Sequence, residues 1–256
     1  LIPRDGALWP ALTVAENVGL PLKARKVPKS ARRERVREIL NLFRIETLAG
    51  RTSDRLSPSQ SLRAAMARAL IEPPELLIFD EPLAWLDAAS LEDFRAAMRS
   101  LRSIASVTTL VLTREIQGSL GLADRIAVMD LGRIVQVGSP HELYNRPLDV
   151  FVARYLGPVN LLQGRVDGIG PGSRSEVVVR TPVGRLVGWT GGSGSLAPGA
   201  PVTIAIRPEA LVLGGMIPSD SNRFPATIER LSFQGELRQV ALRGPSDWPV
   251  NAVAIQ

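Results

Sequence analysis

Leu76-Leu77-Ile78-Phe79-Asp80-Glu81-Pro82 forms the segment on which the predicted fold depends. Its four consecutive apolar residues are typical of a strand that is buried in a parallel sheet. Two carboxylates, Asp80 and Glu81, follow this apolar run directly. Because ligands of open α/β sheets bind at the carboxyl ends of the strands, the segment predicts a central parallel strand with a candidate site at its end.

Helical patterns precede this strand. Ser30 is a candidate N-cap, and the apolar residues behind it follow the i, i+3, i+4, i+7 spacing of one helix face. Those residues are Val36, Ile39, Leu40 and Phe43. A second helix is predicted between Leu62 and Leu70, because apolar residues recur there at helical spacing and the chain then reaches Pro73.

Further elements follow the strand. Ser90 and Asp93 have the spacing of a capping box, which predicts the start of another helix. The run from Val107 to Leu112 is a second candidate for a buried strand, and residues 126–137 have the pattern of a hairpin around Leu131-Gly132. This alternation of helices and strands predicts an α/β layer architecture.

Beyond Gly157 the pattern changes to short strands that are separated by glycine and proline. The strand-like segments are residues 161–166, 176–181, 202–207, 226–233 and 238–243. Their fairly regular spacing predicts a small all-β barrel or sandwich. We therefore expect a domain of residues 1–157 and a second domain of residues 158–256.

Composition excludes several kinds of site. The chain has no cysteine and one histidine, His141, so it has no disulfide and no multi-histidine metal cluster, and a Ser-His-Asp hydrolase is nearly excluded. No apolar run reaches the roughly 18 residues that span a bilayer, and no signal peptide opens the chain. Leu1 stands where a methionine would begin a chain, and the residues after it have the pattern of a domain interior. We expect a cytoplasmic protein of which an N-terminal part is missing.

The densest basic segment runs from Lys23 to Arg37 and holds eight lysines and arginines. A solvated helix face is the favoured interpretation of this segment. Single-stranded nucleic acid is recognised by basic residues interleaved with aromatic ones, and aromatic residues make up only 5% of the chain. We therefore expect no nucleic-acid partner.

Several motifs occur in one order and at one spacing that resemble the ATP-binding subunits of ABC transporters of the bacterial importer type. They are Ala7–Val18, Leu56–Gln60, Leu76–Pro82, Leu86-Asp87 and Ala123–Met129. Gly138–Ala153 is similar to the segment that closes the ATPase domain in this group. Ile204–Glu209 is similar to part of its accessory OB-like barrel, the TOBE domain. The resemblance covers most of the chain and is nearest to the polyamine, iron and sulfate importers.

The resemblance implies a fold and a set of partners. The fold is a P-loop NTPase of the RecA-like α/β class, here an ABC ATPase core without its N-terminal part. Within it, a helical subdomain covers about residues 14–72, and the Walker B strand and the C-terminal part cover residues 73–157. The TOBE-like domain covers residues 158–256. The implied partners are transmembrane permease subunits, a second ATP-binding subunit and, indirectly, a periplasmic solute-binding protein, with the chain peripheral at the cytoplasmic face of the inner membrane.

The resemblance also implies a site for ATP and Mg²⁺. Asp80 matches the aspartate that holds Mg²⁺, and Glu81 matches the general base. Asp87 matches the aspartate of the D-loop. Ser57 and Gln60 match the signature motif, which contacts the γ-phosphate of the nucleotide on the opposite subunit.

Three motifs depart from the family pattern, and the family's phosphate loop has no match in these residues. Arg4 stands at the glutamine of the Q-loop. Pro58 and Ser59 stand where the signature motif has two glycines, so one backbone N–H is lost. Arg114 stands at the switch histidine, and an arginine keeps its proton at every physiological pH. We therefore expect impaired hydrolysis.

Two alternatives remain open. The chain could be a non-catalytic, degenerate subunit that pairs with an intact ATPase or regulates it; Arg4, Pro58 and Arg114 favour this interpretation and Glu81 opposes it. The C-terminal half could instead be an OB-type module for a ligand or an oligonucleotide, although its net charge of +2 gives that reading little support.

Overall fold

The computed structural model describes residues 1–4, 6–84, 86–104, 107–170, 176–190, 196–214 and 222–255. The chain divides into two compact units, Leu1–Leu122 and Ala123–Gln256. This division lies earlier than the domain boundary expected near Gly157. Arg207 links the residues just before Gly157 to the later strands, because it bonds the carbonyl oxygens of Tyr144, Ala153, Gly157 and Pro158. None of the helices in the described ranges has the length and hydropathy that crossing a bilayer requires.

The first unit combines helices with a short parallel sheet. Its elements are α1 (Val14–Ala24), α2 (Lys29–Leu42), α3 (Pro58–Leu70), β1 (Leu76–Asp80), α4 (Ala88–Ile104), β2 (Thr108–Leu112) and α5 (Ile116–Ser119). Strands β1 and β2 pair in parallel, with Leu76 opposite Thr108 and Asp80 opposite Leu112. The predicted helices, the parallel pairing and the mixed α/β class are therefore confirmed.

Burial of β1 is more one-sided than its unbroken apolar run predicts. Leu77 and Phe79 are buried in the core, whereas Leu76 is 48% exposed and Ile78 is half-buried. The strand therefore packs mainly through the face that carries Leu77 and Phe79. Phe79 contacts Phe94 of α4 edge to face, with ring centroids 5.6 Å apart, which fixes α4 against the sheet.

Both helix starts proposed from capping residues are wrong. Helix α2 begins at Lys29 with Pro28 at its N-cap position and no side-chain cap, so Ser30 lies inside the helix. Helix α4 begins at Ala88, and the carboxylate of Asp87 accepts the backbone N–H of Ser90 at 2.8 Å. Ser90 therefore lies in the first turn of α4, because an acidic residue three positions earlier already occupies its N–H.

The loop before α1 is held by a buried amide. Asn17 is fully buried and accepts the backbone N–H of Trp9 at 2.8 Å. Its amide nitrogen donates to the carbonyl oxygens of Trp9, Leu12 and Thr13. The three carbonyls also accept hydrogen bonds from Leu12, Ser53 and the Asn17 backbone, whereas the Trp9 N–H is bonded by the Asn17 side chain. Asn17 therefore adds to the bonds that hold residues 9–13 and satisfies the Trp9 N–H.

Replacing Asn17 by alanine should lower the free energy of unfolding by about 1–3 kcal/mol, because the Trp9 N–H loses its acceptor and three backbone carbonyls lose one of their donors. Denaturant unfolding followed by circular dichroism measures the change. Asn41→Ala, on an exposed position of α2, is the matched control and should change the stability by less than about 0.5 kcal/mol. Equal effects of the two substitutions would contradict the assigned role.

The second unit is mainly antiparallel sheet. Its elements are β3 (Ile126–Asp130), β4 (Arg133–Gly138), α6 (Pro140–Asn145), α7 (Val150–Tyr155), β5 (Asn160–Ile169), β6 (Glu176–Thr181), β7 (Gly184–Trp189), β8 (Pro201–Ile206), β9 (Thr227–Gln234), β10 (Leu237–Arg243) and β11 (Pro249–Ile255). β3 and β4 form the expected hairpin. The sheet orders are β7-β6-β5-β8 and β11-β10-β9. The prediction of short strands after residue 157 is confirmed, while the OB-like topology stays a prediction.

A buried arginine joins the helices of the second unit to its strands. Arg207, which follows β8, is 9% exposed and donates hydrogen bonds to the carbonyl oxygens of Tyr144, Ala153, Gly157 and Pro158. Its guanidinium also lies 4.0 Å from the centroid of the Tyr144 ring. Burial, followed by the hydrogen bond to Glu209, raises the pKa of Tyr144. Arg207 therefore satisfies the carbonyls at the ends of α6 and α7.

Arg207→Met should cost about 2–4 kcal/mol of stability, because methionine fills a similar volume but leaves several buried carbonyl oxygens without donors. Amide hydrogen exchange resolves the effect, and faster exchange is expected in α6, α7 and β8. Arg154→Met is the matched control, since Arg154 is exposed on α7. Unchanged exchange in the Arg207 variant would rule out the assigned role.

Candidate functional site

The ends of β1 and β2 meet at one edge of the sheet. Asp80 ends β1 and donates its N–H to the carbonyl oxygen of Ile2 at 3.0 Å, while Glu81 donates its N–H to that of Leu112 at 2.8 Å. Ile2 also forms a parallel bridge with Phe79. Residues 2–4 therefore run alongside β1, and the edge gathers Arg4, Asp80, Glu81 and Arg114 from three segments.

Glu81 and Arg114 are in direct contact. The Nε of Arg114 donates to Glu81 Oε1 at 2.9 Å, and the backbone N–H of Arg114 donates to Glu81 Oε2 at 3.2 Å. Both carboxylate oxygens of Glu81 thus accept a hydrogen bond from the same residue. The Glu81 side chain is 21% exposed and that of Arg114 is 80% exposed, so the guanidinium is mostly in solvent.

The backbone of Glu81 is strained. Its φ of +48° lies in the left-handed region, which residues other than glycine rarely adopt. Such conformations cluster at functional sites, where the surrounding structure enforces them. Here the N–H bond to Leu112 and the two bonds from Arg114 enforce it, which supports a functional role for this residue.

Asp80 presents a solvent-exposed carboxylate at the same edge. Within the described part of the chain, no three histidine or acidic side chains come together as a metal cluster. Mg²⁺ does not need one, because it is commonly held by one or two carboxylates together with waters and substrate phosphates. The exposed carboxylate of Asp80 fits that mode of binding.

Arg4 is exposed in the turn that follows Ile2. In the ranges that the structure describes, it forms no ion pair with Asp80 or Glu81. A cation cannot replace an amide oxygen as a ligand of Mg²⁺, but it can attract a phosphate. The exposed guanidinium of Arg4 is therefore suited to an anion and not to a metal ion.

The signature residues form the start of α3. Ser57 is the N-cap: its hydroxyl oxygen accepts the N–H of Gln60 at 3.3 Å, and the Gln60 side chain accepts the N–H of Ser57 at 3.0 Å. Pro58 occupies the first helical position, where proline is well tolerated. The motif therefore keeps its helix-capping geometry, although Pro58 offers no N–H and that of Gln60 is already bonded.

Asp87 has a structural partner. Its carboxylate accepts hydrogen bonds from Ser90, and these bonds lower the pKa of Asp87. The ionised carboxylate caps the start of α4 and complements the positive end of the helix dipole. The structure thus brings Glu81 and Arg114 into contact beside Asp80, whereas Ser57 and Gln60 pair with each other and Asp87 pairs with Ser90.

One residue of this region escaped the sequence analysis. Arg68 of α3 donates to the carbonyl oxygens of Gly6 at 2.9 Å and Ala7 at 2.7 Å. Gly6 has a φ of +72°, and a Cβ there would lie 3.4 Å from that of Ala65. Arg68 therefore ties the segment after Arg4 to α3. A charged residue within the apolar run of Leu62–Leu70 was the only local signal of this role.

A surface groove of about 800 Å³ lies in the first unit. Trp9, Leu20, Pro21 and Leu76 contribute apolar surface to it, and Arg25 pairs with Glu72 in its lining at 3.0 Å. Trp9 is 59% exposed, although its backbone is held by Asn17 and by the Ser53 hydroxyl. The groove thus presents an exposed indole on a fixed backbone, as binding surfaces do.

Comparison with known proteins shows which family the chain is similar to. The family model described as ABC transporter matches residues 1–84. The spermidine/putrescine import ATP-binding protein PotA of Mesorhizobium japonicum is 34% identical over 90% of this chain and 61% of its own length. The sulfate/thiosulfate import ATP-binding protein CysA 2 of Chromobacterium violaceum is 35% identical over 95% of this chain and 63% of its own length. The chain is therefore similar to ABC transporter ATP-binding proteins over most of its length.

A solved structure agrees with this assignment. The ABC protein cbiO1 of Clostridium perfringens, part of the transporter complex cbiONQ, matches with a TM-score of 0.52 and 29% identity over 55% of this chain and 57% of its own. The ABC chain described here therefore has the ABC ATPase fold of the P-loop NTPase class. It spans about three fifths of the length of the curated relatives that it matches.

Two substitutions of Ser57 test whether this residue stabilises α3 as its N-cap. Ser57→Ala should destabilise the first unit by about 1 kcal/mol, whereas Ser57→Gly should cost only a few tenths, because glycine is an acceptable N-cap. Thermal unfolding measures both. Ser30→Ala, at the exposed start of α2, should be nearly neutral because Ser30 caps nothing. Equal losses for alanine and glycine at Ser57 would argue against capping.

Proposed function

We propose that this chain is the ATP-binding subunit of a bacterial ABC importer, which couples ATP binding and hydrolysis at a dimer interface to solute uptake, with impaired catalysis. The observation that carries the proposal is the pair Asp80–Glu81 at the carboxyl edge of a parallel sheet, with Glu81 held by Arg114. Similarity to this family supplies the context, since the relatives compared above are named import ATP-binding proteins.

The proposed chemistry assigns separate tasks to these residues. Asp80 would hold Mg²⁺, directly or through water, and the ion would neutralise charge on the ATP phosphates. Glu81 would accept a proton from the water that attacks the γ-phosphate. Each oxygen of Glu81 keeps a lone-pair site that could take that proton, but the two bonds from Arg114 hold the carboxylate in one orientation. Turning the carboxylate toward the attacking water would therefore require one of these bonds to open. This requirement is the physical basis for the proposed impairment.

Other residues would bind the nucleotide without touching the water. Arg4 and Arg114 would attract the phosphates, and Ser57 would present the start of α3 to the nucleotide of the opposite subunit. Gln60 and Asp87 would support these contacts through the capping bonds that they make. The family's phosphate loop is absent from these 256 residues, so the activity is tested on the complex that the chain forms with its natural partners.

The test isolates that complex through a tag on this chain and measures steady-state hydrolysis of Mg-ATP. We expect slow turnover that falls a further hundredfold or more in Glu81→Gln, which is the usual minimum effect of removing a general base. Arg114→His should raise the rate, because it releases the carboxylate from the guanidinium. Glu229→Gln, an exposed acidic residue of the second unit, is the control and should leave the rate unchanged.

The same assay decides the alternative. Arg4, Pro58 and Arg114, which depart from the family pattern, favour a non-catalytic subunit. The two hydrogen bonds from Arg114 to the Glu81 carboxylate favour it as well. If Glu81→Gln and Arg114→His both leave the rate unchanged while the chain still raises the ATPase activity of an intact paralogue, the chain regulates hydrolysis without performing it. Hydrolysis at rates typical of intact importers would contradict the proposed impairment.

The proposed partners are transmembrane permease subunits and a second ATP-binding subunit, with a periplasmic solute-binding protein engaged indirectly. The groove beside Trp9 supports the first of these, because an exposed indole on a fixed backbone suits a helix of a membrane partner. The chain would then be peripheral at the cytoplasmic face of the inner membrane. The transported solute would belong to the polyamine, iron or sulfate classes.

Trp9→Ala should weaken copurification of the permease at least tenfold while leaving the unfolding midpoint unchanged, because the indole is exposed and its backbone is held independently. Quantitative pulldown measures the ratio of permease to this chain. Trp189→Ala is the matched control, since Trp189 is 65% exposed but lies in the second unit. A permease ratio that is unaffected by Trp9→Ala would exclude this groove as the docking surface.

A further inference from the structure

The net charge of the chain is concentrated in one short segment. Residues 23–38 contain eight lysines and arginines and two glutamates, a net charge of +6, which equals that of all 256 residues. The remaining residues of the chain therefore have a net charge of zero. The eight cations are Lys23, Arg25, Lys26, Lys29, Arg32, Arg33, Arg35 and Arg37.

These cations project into solvent. They lie at the end of α1, in the turn that follows and along α2; seven are exposed, and Arg32 is half-buried against Gly19. Arg25 pairs with Glu72. Within the residues that the structure describes, none of the other seven forms an ion pair, so their charge is available to a partner.

The positions of these cations do not stabilise helix α2. Lys29, Arg33 and Arg37 follow at intervals of four residues, which places them in one row on α2, about 12 Å long at 1.5 Å per residue. Like charges at this spacing repel each other, and cations at the start of a helix oppose its dipole. The first turn of α2 carries no acidic residue and no side-chain cap. This basic row therefore lowers the stability of α2, which points to an anionic partner outside the chain.

The surroundings of the row favour one class of anion. Residues 10–42 contain no aromatic side chain, and the exposed Trp9 lines the groove with Arg25 and Arg35, a lining that does not include Lys29, Arg33 or Arg37. The row therefore lacks the interleaved aromatic residues on which bases stack. The apolar side of α2, with Val36 and Leu40, is buried in the core and cannot insert into a bilayer. Long, exposed cationic side chains spread along a packed helix form an extended positive field, which suits a surface of many anions better than a single anion.

We propose that the basic row Lys29, Arg33 and Arg37 binds the anionic headgroups of a phospholipid bilayer. Binding is electrostatic and peripheral, without insertion, and the neighbouring cations Lys23 and Lys26 add to the attraction. The contact requires neither nucleotide nor permease, so it goes beyond the function proposed above. Because the net charge is concentrated in this segment, attraction to the anionic headgroups would orient the chain with the start of α2 toward the membrane.

The test measures binding of the purified chain to vesicles by flotation, without nucleotide or any partner. Vesicles of phosphatidylglycerol and phosphatidylcholine are compared with vesicles of phosphatidylcholine alone. We expect binding to the anionic vesicles only, lost between about 0.1 M and 1 M salt as the Debye length falls from roughly 10 Å to 3 Å. The triple variant Lys29→Gln, Arg33→Gln, Arg37→Gln should lose about a hundredfold in partitioning, at roughly fivefold per cation.

A control of equal charge tests whether position matters. Arg125→Gln, Arg133→Gln and Arg230→Gln remove the same net charge from exposed positions elsewhere, and this variant should keep most of the binding. Equal losses in both triple variants, equal binding to the uncharged vesicles, or salt-independent binding would each overturn the proposal. So would tighter binding to duplex DNA than to the anionic vesicles at equal phosphate concentration, which would assign the row to nucleic acid.

Folding of the variants is checked by circular dichroism. If the triple variant unfolds, Arg37→Gln alone replaces it, with an expected loss of about fivefold, and the salt series on the unchanged chain still decides the outcome. Because no ATP and no permease are present, failure of this test leaves the proposed importer function untouched. Success would equally leave the question of hydrolysis to the ATPase assay.

Discussion

The backbone pairing of β1 with β2 brings the two strand ends of the candidate site together. The register from Leu76 opposite Thr108 to Asp80 opposite Leu112 makes both strands end at one level. The N–H of Glu81 then reaches the carbonyl of Leu112, and the side chain of Glu81 turns toward Arg114. Because a shift of register by one residue would move every side chain to the other face, this contact depends on the whole pairing.

The residue at position 114 determines the chemistry open to this edge. A neutral histidine could accept as well as donate hydrogen bonds, and a histidine can gain or lose its positive charge near physiological pH. Arg114 only donates and stays charged, so its attraction to Glu81 persists until a stronger anion competes for it. The phosphates of ATP would be such an anion. On the proposed function, ATP would compete for the guanidinium, while the backbone N–H of Arg114 would still hold Glu81 Oε2.

Sequence patterns predicted the parts of this molecule that depend on local spacing. The helices, the parallel strands, the β-rich second half and the position of Asp80 and Glu81 at a strand end follow from apolar periodicity. The caps at Ser30 and Ser90 were wrong, because several neighbouring residues compete for the same helix start and small energies decide between them. Contacts such as Glu81–Arg114 and those of Asn17 and Arg207 join residues that packing alone brings together.

The departures from the family pattern differ in their physical consequences. Pro58 removes one N–H, yet the capping bonds between Ser57 and Gln60 remain and α3 starts where the motif requires. Arg4 adds an exposed cation and, within the described residues, forms no ion pair with Asp80. Arg114 donates a hydrogen bond to each oxygen of Glu81, the carboxylate that would accept a proton on the proposed function. On that function, a defect in hydrolysis would arise mainly from Arg114, while Pro58 would weaken a contact to the nucleotide and Arg4 would attract a phosphate.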